Sequence, residues 1–234
     1  MHTPTALIAG SSSGIGQQCV NTFLECGWRV VGISRSQSQV KNANFIGISA
    51  DLTNEETTRD VLKAISMDWG NINAVIHSIG DIYEEKPMAN MEWSRWVKSM
   101  NLCVGSAFNL VKNSFETIKS CQGSYTFIAS IGARKPYPGI SDYCAAKAAL
   151  VSFTQSLAIE LAPAGARANS ISPAVVQTPL FEKSPYSLEE ASSWHPLKRV
   201  GTPHEIALLA EYLASTKSNW ITGQDYVIDG GMLL

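Results

Sequence analysis

Thr5-Ala-Leu-Ile-Ala-Gly10-Ser-Ser-Ser-Gly14-Ile-Gly16 opens the chain with a short apolar run and a glycine-rich turn. A helical pattern follows from Ile15 to Cys26, with Gly27 as its stop signal. Strand, glycine loop, helix is the order that gives such a turn meaning. Glycines let the backbone bend tightly and approach a pyrophosphate. The helix N-terminus then offers free N–H groups and the positive end of its dipole. Gly10, Ser12, Ser13, Gly14, Ile15 and Gly16 are the expected cradle. The spacing departs from G-x-G-x-x-G, and by itself it also describes an ordinary strand-to-helix turn.

Working outward, the second strand reads Trp28-Arg-Val-Val-Gly-Ile33, and Ser34 and Arg35 follow it. A dinucleotide with a free ribose 2′-hydroxyl usually meets Asp or Glu here. No acid is present to repel a 2′-phosphate, and Arg35 can pair with one. This favours NADP(H) over NAD(H). The alternative is that Arg35 is a solvated surface arginine.

Beyond this unit, strand-like and helical runs alternate. Phe45–Ser49 precedes Glu55–Met67, Ala74–His77 precedes Trp93–Lys119, and Tyr125–Ala129 precedes Tyr143–Leu161. Ala168–Ser172 precedes Glu205–Ala214, and Tyr226–Ile228 closes the series. Alternation of this kind predicts an α/β fold, a Rossmann-type doubly wound parallel sheet of about seven strands with helices on both faces. No linker or repeat divides the sequence, so one domain is expected over 1–234. Gly10, Ser34, Asp51, Gly80, Ser130 and Pro173 all follow strands, and ligands bind at that edge of such sheets. The stretch 174–200 is read as one long irregular loop, rich in Pro and aromatic residues. His195 within it is read as a cap of the following segment. His77, at a strand end, is read as a hydrogen-bonded structural histidine.

Tyr143 and Lys147 lie four residues apart in a helical pattern, and Ser130 lies thirteen residues before the tyrosine. Positions i and i+4 share a helix face. An ammonium beside a phenol lowers its pKa, and a tuned phenol exchanges a proton with a carbonyl or alcohol oxygen. A serine at the end of a neighbouring strand can hold the same oxygen.

Bulk properties exclude several classes. The net charge of −2 gives no field for nucleic acid or an anionic membrane. Five cysteines are scattered without metal spacing, which reads as reduced thiols in a cytoplasmic protein with no metal site. The first strand begins within a few residues of Met1, so no signal peptide is expected, and no apolar run is long enough to span a bilayer.

With these residues in hand, the chain resembles the short-chain dehydrogenase/reductase family from Ala6 to Gly231. Gly10, Gly14 and Gly16 match its glycine turn, and Ser130, Tyr143 and Lys147 match its catalytic set. The resemblance implies that Asn101 completes that set by holding a relay water. It implies that Asp51 and Leu52 border the adenine, and that Tyr143 and Lys147 also touch the cofactor. Pro173, Val176 and Thr178 are implied contacts of the nicotinamide carboxamide, and Gly80 lines the same site. Ser130, Tyr137, Tyr143 and Phe181 are the implied substrate contacts, with 174–200 as the substrate loop. A homotetramer or homodimer built on Trp93–Lys119 and Tyr143–Leu161 is implied as well.

Two departures stand out. His77-Ser-Ile-Gly80 replaces the usual Asn-Asn-Ala-Gly and resembles enoyl-thioester reductases, yet those space tyrosine and lysine farther apart. Ala174 replaces a common glycine after Pro173. The expected activity is NADP(H)-dependent interconversion of a ketone or aldehyde with an alcohol. A 3-oxoacyl-thioester reductase and a non-catalytic NADP(H)-binding regulator are the alternatives. Lys183, Lys198 and Arg199 are the candidate basic patch that a carrier protein or coenzyme A would need.

Overall fold

Seven β-branched or apolar runs become strands, and each pairs in parallel with its neighbour. They are β1 (Thr5–Ala9), β2 (Arg29–Ser34), β3 (Phe45–Ser49), β4 (Ala74–His77), β5 (Ser124–Ile128), β6 (Arg167–Pro173) and β7 (Asp225–Ile228). The sheet order is β3-β2-β1-β4-β5-β6-β7 in this computed structural model, which describes residues 3–234. The α-helices are α1 (Gly14–Glu25), α2 (Glu55–Trp69), α3 (Trp93–Met100), α4 (Ser106–Ser120), α5 (Ser141–Leu161), α6 (Pro179–Glu182), α7 (Leu188–Ser193) and α8 (Pro203–Ala214).

Both faces of the central strand β1 are buried, each by one half of its period-2 alternation. Ala6 and Ile8 join Val20 and Phe23 of α1 and Ile206 and Leu213 of α8. Leu7 and Ala9 point the other way, to Leu62 of α2, Leu110 of α4, and Leu150 and Leu157 of α5. Burying one such large side chain stabilises the fold by about 1.5–3 kcal/mol. Helix starts are written locally. Asn54 accepts from the Thr57 N–H at α2, and Thr202 with Glu205 closes a capping box at α8, just before Pro203.

Two expected elements differ. The run Trp93–Lys119 is not one α-helix, because Asn101–Gly105 is a π-helical turn between α3 and α4. The Asn101 side chain folds back on Gly105, where a β-carbon would lie 2.3 Å from Asn101 Oδ1. Ser106 Oγ donates to the Leu102 carbonyl at 2.5 Å, taking up an acceptor inside the widened turn. The stretch 174–200 is also more regular than expected, since it holds α6 and α7. Thr178 caps α6 and Ser187 forms a capping box with Glu190 at α7. The excursion is closed at its base by a parallel bridge between Val176 and Gly201.

Candidate active site

Parallel pairing sends the C-terminal ends of β1 to β6 to one edge of the sheet. There β2 and β4 lie on opposite sides of β1, so the connections reverse direction at that point. Gly10 ends β1 at φ 85°, and a β-carbon on it would come 2.6 Å from the Ser78 carbonyl oxygen. A β-carbon on Gly16 would come 2.1 Å from the Gly10 carbonyl oxygen. The turn therefore closes only with glycine at both places. Ser13 is the N-cap of α1, yet its side chain makes no cap hydrogen bond. The first N–H groups of α1 thus lack a side-chain cap, and a phosphate oxygen is what such a terminus accepts. Gly14 packs against Thr178, whose Cβ would lie 3.4 Å from an added β-carbon. Gly14, Ile15 and Ser12 are half-buried around this turn, and Ser13 is exposed.

Arg35 is exposed directly after β2, close enough to Asp51 to help lower its carboxyl. The larger cause is Thr53, which donates to Asp51 Oδ1 from its hydroxyl at 2.7 Å and from its N–H at 2.9 Å. Ser34 Oγ donates to the Ser36 carbonyl at 2.7 Å, which shapes the chain as it leaves β2. The Leu52 side chain lies in the core, and its carbonyl accepts from Asn109 and Thr58. Any ligand contact of Leu52 is thereby left to its N–H. Pro173 ends β6, and Val176 and Thr178 follow it to the start of α6.

Ser130 caps the short 3-10 turn Ile131–Ala133, accepting from the Gly132 N–H at 3.0 Å, and its hydroxyl lies close enough to the Tyr143 phenol to favour the phenolate. Tyr143 and Lys147 are both buried near the start of α5. The Lys147 ammonium donates to the Ile128 carbonyl at 2.7 Å and to the Ile79 carbonyl at 3.4 Å. It lies 5.7 Å from the centre of the Tyr143 ring. Here the expectation that Lys147 lowers the tyrosine's pKa needs correction. Burial pushes the Tyr143 phenol well above its ordinary range, and the nearby Ser130 hydroxyl only partly opposes this. Burial likewise lowers Lys147. Tyr143 therefore keeps its proton at neutral pH, the form that gives a proton to a carbonyl oxygen.

Asn101 stands in the π-helical turn between α3 and α4, two residues before Cys103. It is exposed, and its side chain lies along its own helix against Gly105. Cys103, two residues on, is wholly buried. A β-carbon on Gly80 would meet Cys103 Sγ at 3.5 Å and Lys147 Nζ at 2.9 Å. Sequence reasoning missed Cys103, although helical periodicity carries the signal. Arg95, Ser99, Cys103, Ala107 and Leu110 form the buried stripe, while Trp93, Val97, Asn101 and Phe108 form the exposed one.

Of the expected substrate contacts, Phe181 is half-buried on α6, while the Tyr137 hydroxyl is enclosed without a hydrogen-bond partner. The candidate basic patch is largely neutralised within the chain. Lys183 pairs with Asp81 at 3.0 Å and Arg199 with Glu205 at 2.6 Å, which leaves Lys198. His77 is a buried structural histidine as expected, with Nε2 2.8 Å from Ser106 Oγ. His195 does not cap the segment after it: its Nδ1 lies 2.8 Å from the Ala191 carbonyl, back on α7. Among the described residues no His, Cys, Asp and Glu side chains cluster to hold a metal ion. None of the described helices is long and apolar enough to cross a membrane.

The family model described as enoyl-(acyl carrier protein) reductase matches residues 9–233. The chain belongs to the short-chain dehydrogenase/reductase family. It is thus an oxidoreductase acting on CH–OH groups. This short-chain dehydrogenase/reductase is 32% identical to the 3-oxoacyl-(acyl-carrier-protein) reductase of Buchnera aphidicola subsp. Baizongia pistaciae, over 98% of this chain and 97% of that one. It superimposes on the ligand-free aldohexose dehydrogenase of Thermoplasma acidophilum with a TM-score of 0.93 at 25% identity, covering 99% and 94% of the two chains. The 3-ketoacyl-(acyl-carrier-protein) reductase of Brucella melitensis, complexed with NADH, gives 0.93 at 24% identity over 99% and 98%. A nicotinamide cofactor fits the residues present: an uncapped α1 terminus, a glycine turn that excludes any β-carbon, and a neutral phenol beside them.

Proposed function

We propose that this short-chain dehydrogenase/reductase is an NADP(H)-dependent carbonyl reductase. The observation that carries this reading is the gathering of Ser130, Tyr143 and Lys147 beside the glycine turn at one edge of the sheet. When bound, the nicotinamide supplies the hydride that goes to the carbonyl carbon. Tyr143 gives its phenolic proton to the carbonyl oxygen. Ser130 donates a hydrogen bond to that oxygen as negative charge develops on it. Lys147 is fixed by the Ile128 and Ile79 carbonyls, and it holds positive charge beneath the site. Arg35, with no acid on β2 to oppose it, pairs with a 2′-phosphate and sets the preference for NADP(H). Phe181 and Tyr137 border the substrate, with 174–200 as its loop.

The 30%-class likeness to 3-oxoacyl-(acyl-carrier-protein) reductases supports a second reading, a 3-oxoacyl thioester as substrate. The pairing of Lys183 and Arg199 within the chain speaks against a basic landing surface for an acidic carrier. The five free cysteines suit a reducing cytoplasm. The exposed Trp93, Val97, Phe108 and Ile159 side chains suit subunit contacts along α3–α4 and α5, in a homotetramer or homodimer.

The test is oxidation of NADPH and of NADH with simple ketones, diketones and acetoacetyl thioesters. Faster loss of NADPH with a free carbonyl compound supports the first reading. Loss with thioesters alone moves the assignment to the second. Tight cofactor binding with no turnover against any carbonyl would leave a non-catalytic regulator.

A further inference from the structure

We infer that Arg95 and Asp142 form a buried clamp that positions Tyr143 and fixes the two loops beside it. The inference rests on the carbonyl-reductase reading and adds two residues to it. Asp142 immediately precedes Tyr143 in the first turn of α5 and is 1% exposed. Arg95, on α3, is 9% exposed and grips that carboxylate with both arms of its fork. Its Nε donates to Oδ2 at 3.0 Å and its Nη2 to Oδ1 at 3.0 Å. Ser99, one turn along α3, donates to Oδ2 at 2.5 Å. Burial alone would raise the Asp142 carboxyl, but the bonds from Arg95 and Ser99 outweigh it and hold the group below its usual range.

The remaining donors of Arg95 reach outside the pair. Nη1 donates to the Glu84 carbonyl, and Nη2 donates to the Gly139 carbonyl at 3.3 Å. The Lys86 N–H also donates to the Gly139 carbonyl, at 2.9 Å. These loops touch: a β-carbon on Gly139 would lie 3.1 Å from Glu85 Cβ. Glu84 lies four residues beyond Gly80, and Gly139 two beyond Tyr137. One guanidinium thus joins α3, the start of α5, the loop after β4 and the loop that carries Tyr137. A groove of about 320 Å³, lined by Tyr83, Glu84, Ser94 and Lys98, opens on its outer side.

An apolar pair of similar size would fill the same space, and such replacements are often neutral for stability. What it cannot do is hold two backbone carbonyls and a serine at once. The clamp therefore acts on geometry, and its loss shows in turnover more than in folding. Displacements of about 1 Å near reacting groups cost on the order of 100-fold in rate.

The experiment compares the parent with Arg95→Lys and with Arg95→Met combined with Asp142→Leu. Melting temperature, cofactor Kd, KM and kcat are measured for each, alongside 13Cζ-tyrosine NMR assigned with Tyr143→Phe. The expected result is a fall in kcat of roughly 10- to 100-fold in both variants. Cofactor Kd stays within about two-fold, and the Tyr143 signal shifts together with those of Tyr83 and Tyr137 on the two clamped loops. The Met/Leu pair keeps the variant folded if Arg95→Lys fails to fold. A Met/Leu variant with the parent's kcat and an unmoved Tyr143 signal overturns the clamp. A parent without turnover on any carbonyl rejects the reductase reading instead, and the NMR shift alone then decides the clamp.

Discussion

Cys103 and Lys147 close on Gly80 from two sides, so that a β-carbon there would lie 3.5 Å from the thiol and 2.9 Å from the ammonium. Asn101, two residues before Cys103, is exposed, and its side chain lies against Gly105. Asn101→Ala is therefore expected to leave kcat within about two-fold of the parent, since surface changes of this kind have small effects. Cys103→Leu and Gly80→Ala both crowd Lys147 and are expected to lower kcat far more. Steady-state kinetics on the three variants decides, and a collapse of turnover in Asn101→Ala would return that residue to the site.

Arg35 is exposed directly after β2, close enough to Asp51 to help lower its carboxyl. A hydrogen bond to a charged group is worth about 1.5–3 kcal/mol, or roughly 10- to 100-fold in affinity. Arg35→Ala is expected to weaken NADPH by that factor and to leave NADH nearly unchanged. Calorimetric titration of both cofactors checks it; equal losses for the two would remove Arg35 as the phosphate reader.

Tyr143 is held as a neutral phenol by burial, with its pKa above the ordinary value near 10. A group used in its protonated form supports reduction below its pKa and fails above it. Carbonyl reduction is thus expected to hold level through neutral and mildly alkaline pH, with the tyrosine's own limb beyond pH 10. A kcat for reduction that falls between pH 7 and 9, and loses that fall in Tyr143→Phe, contradicts this.

His77 is lowered to about 3, chiefly by burial and then by the Lys147 charge. Its unfolded value is near 6.5. The unfolded chain binds the proton first, so stability from this group is complete above pH 6.5 and is lost as pH falls toward 3. Denaturant midpoints at pH 7, 5 and 4 are expected to drop in order. His77→Asn is expected to flatten that drop, and an unchanged slope in the variant counts against His77 as its source.

Much of the fold was legible because parallel strands and amphipathic helices carry different periods. Thr5–Ala9, Phe45–Ser49 and Ala74–His77 have the same ends in sequence and structure. The glycine turn was legible because Gly10 and Gly16 leave no room for a β-carbon. Asn101 was read from residue type, whereas helical phase gives its exposure: it shares a face with the exposed Trp93 and Val97. The clamp was hidden for another reason. Arg95 and Asp142 are 47 residues apart, and only the packing of α3 on α5 brings them together. The behaviour of Tyr143 also depends on burial, which no spacing of tyrosine and lysine reveals.

The central claim is that Tyr143 donates the proton to a carbonyl oxygen, and NADPH oxidation with a ketone panel tests it most directly in the parent and in Tyr143→Phe. Turnover is expected in the parent, with a loss on the order of 100- to 10,000-fold in the variant and the same cofactor affinity in both. Turnover retained in Tyr143→Phe would contradict it.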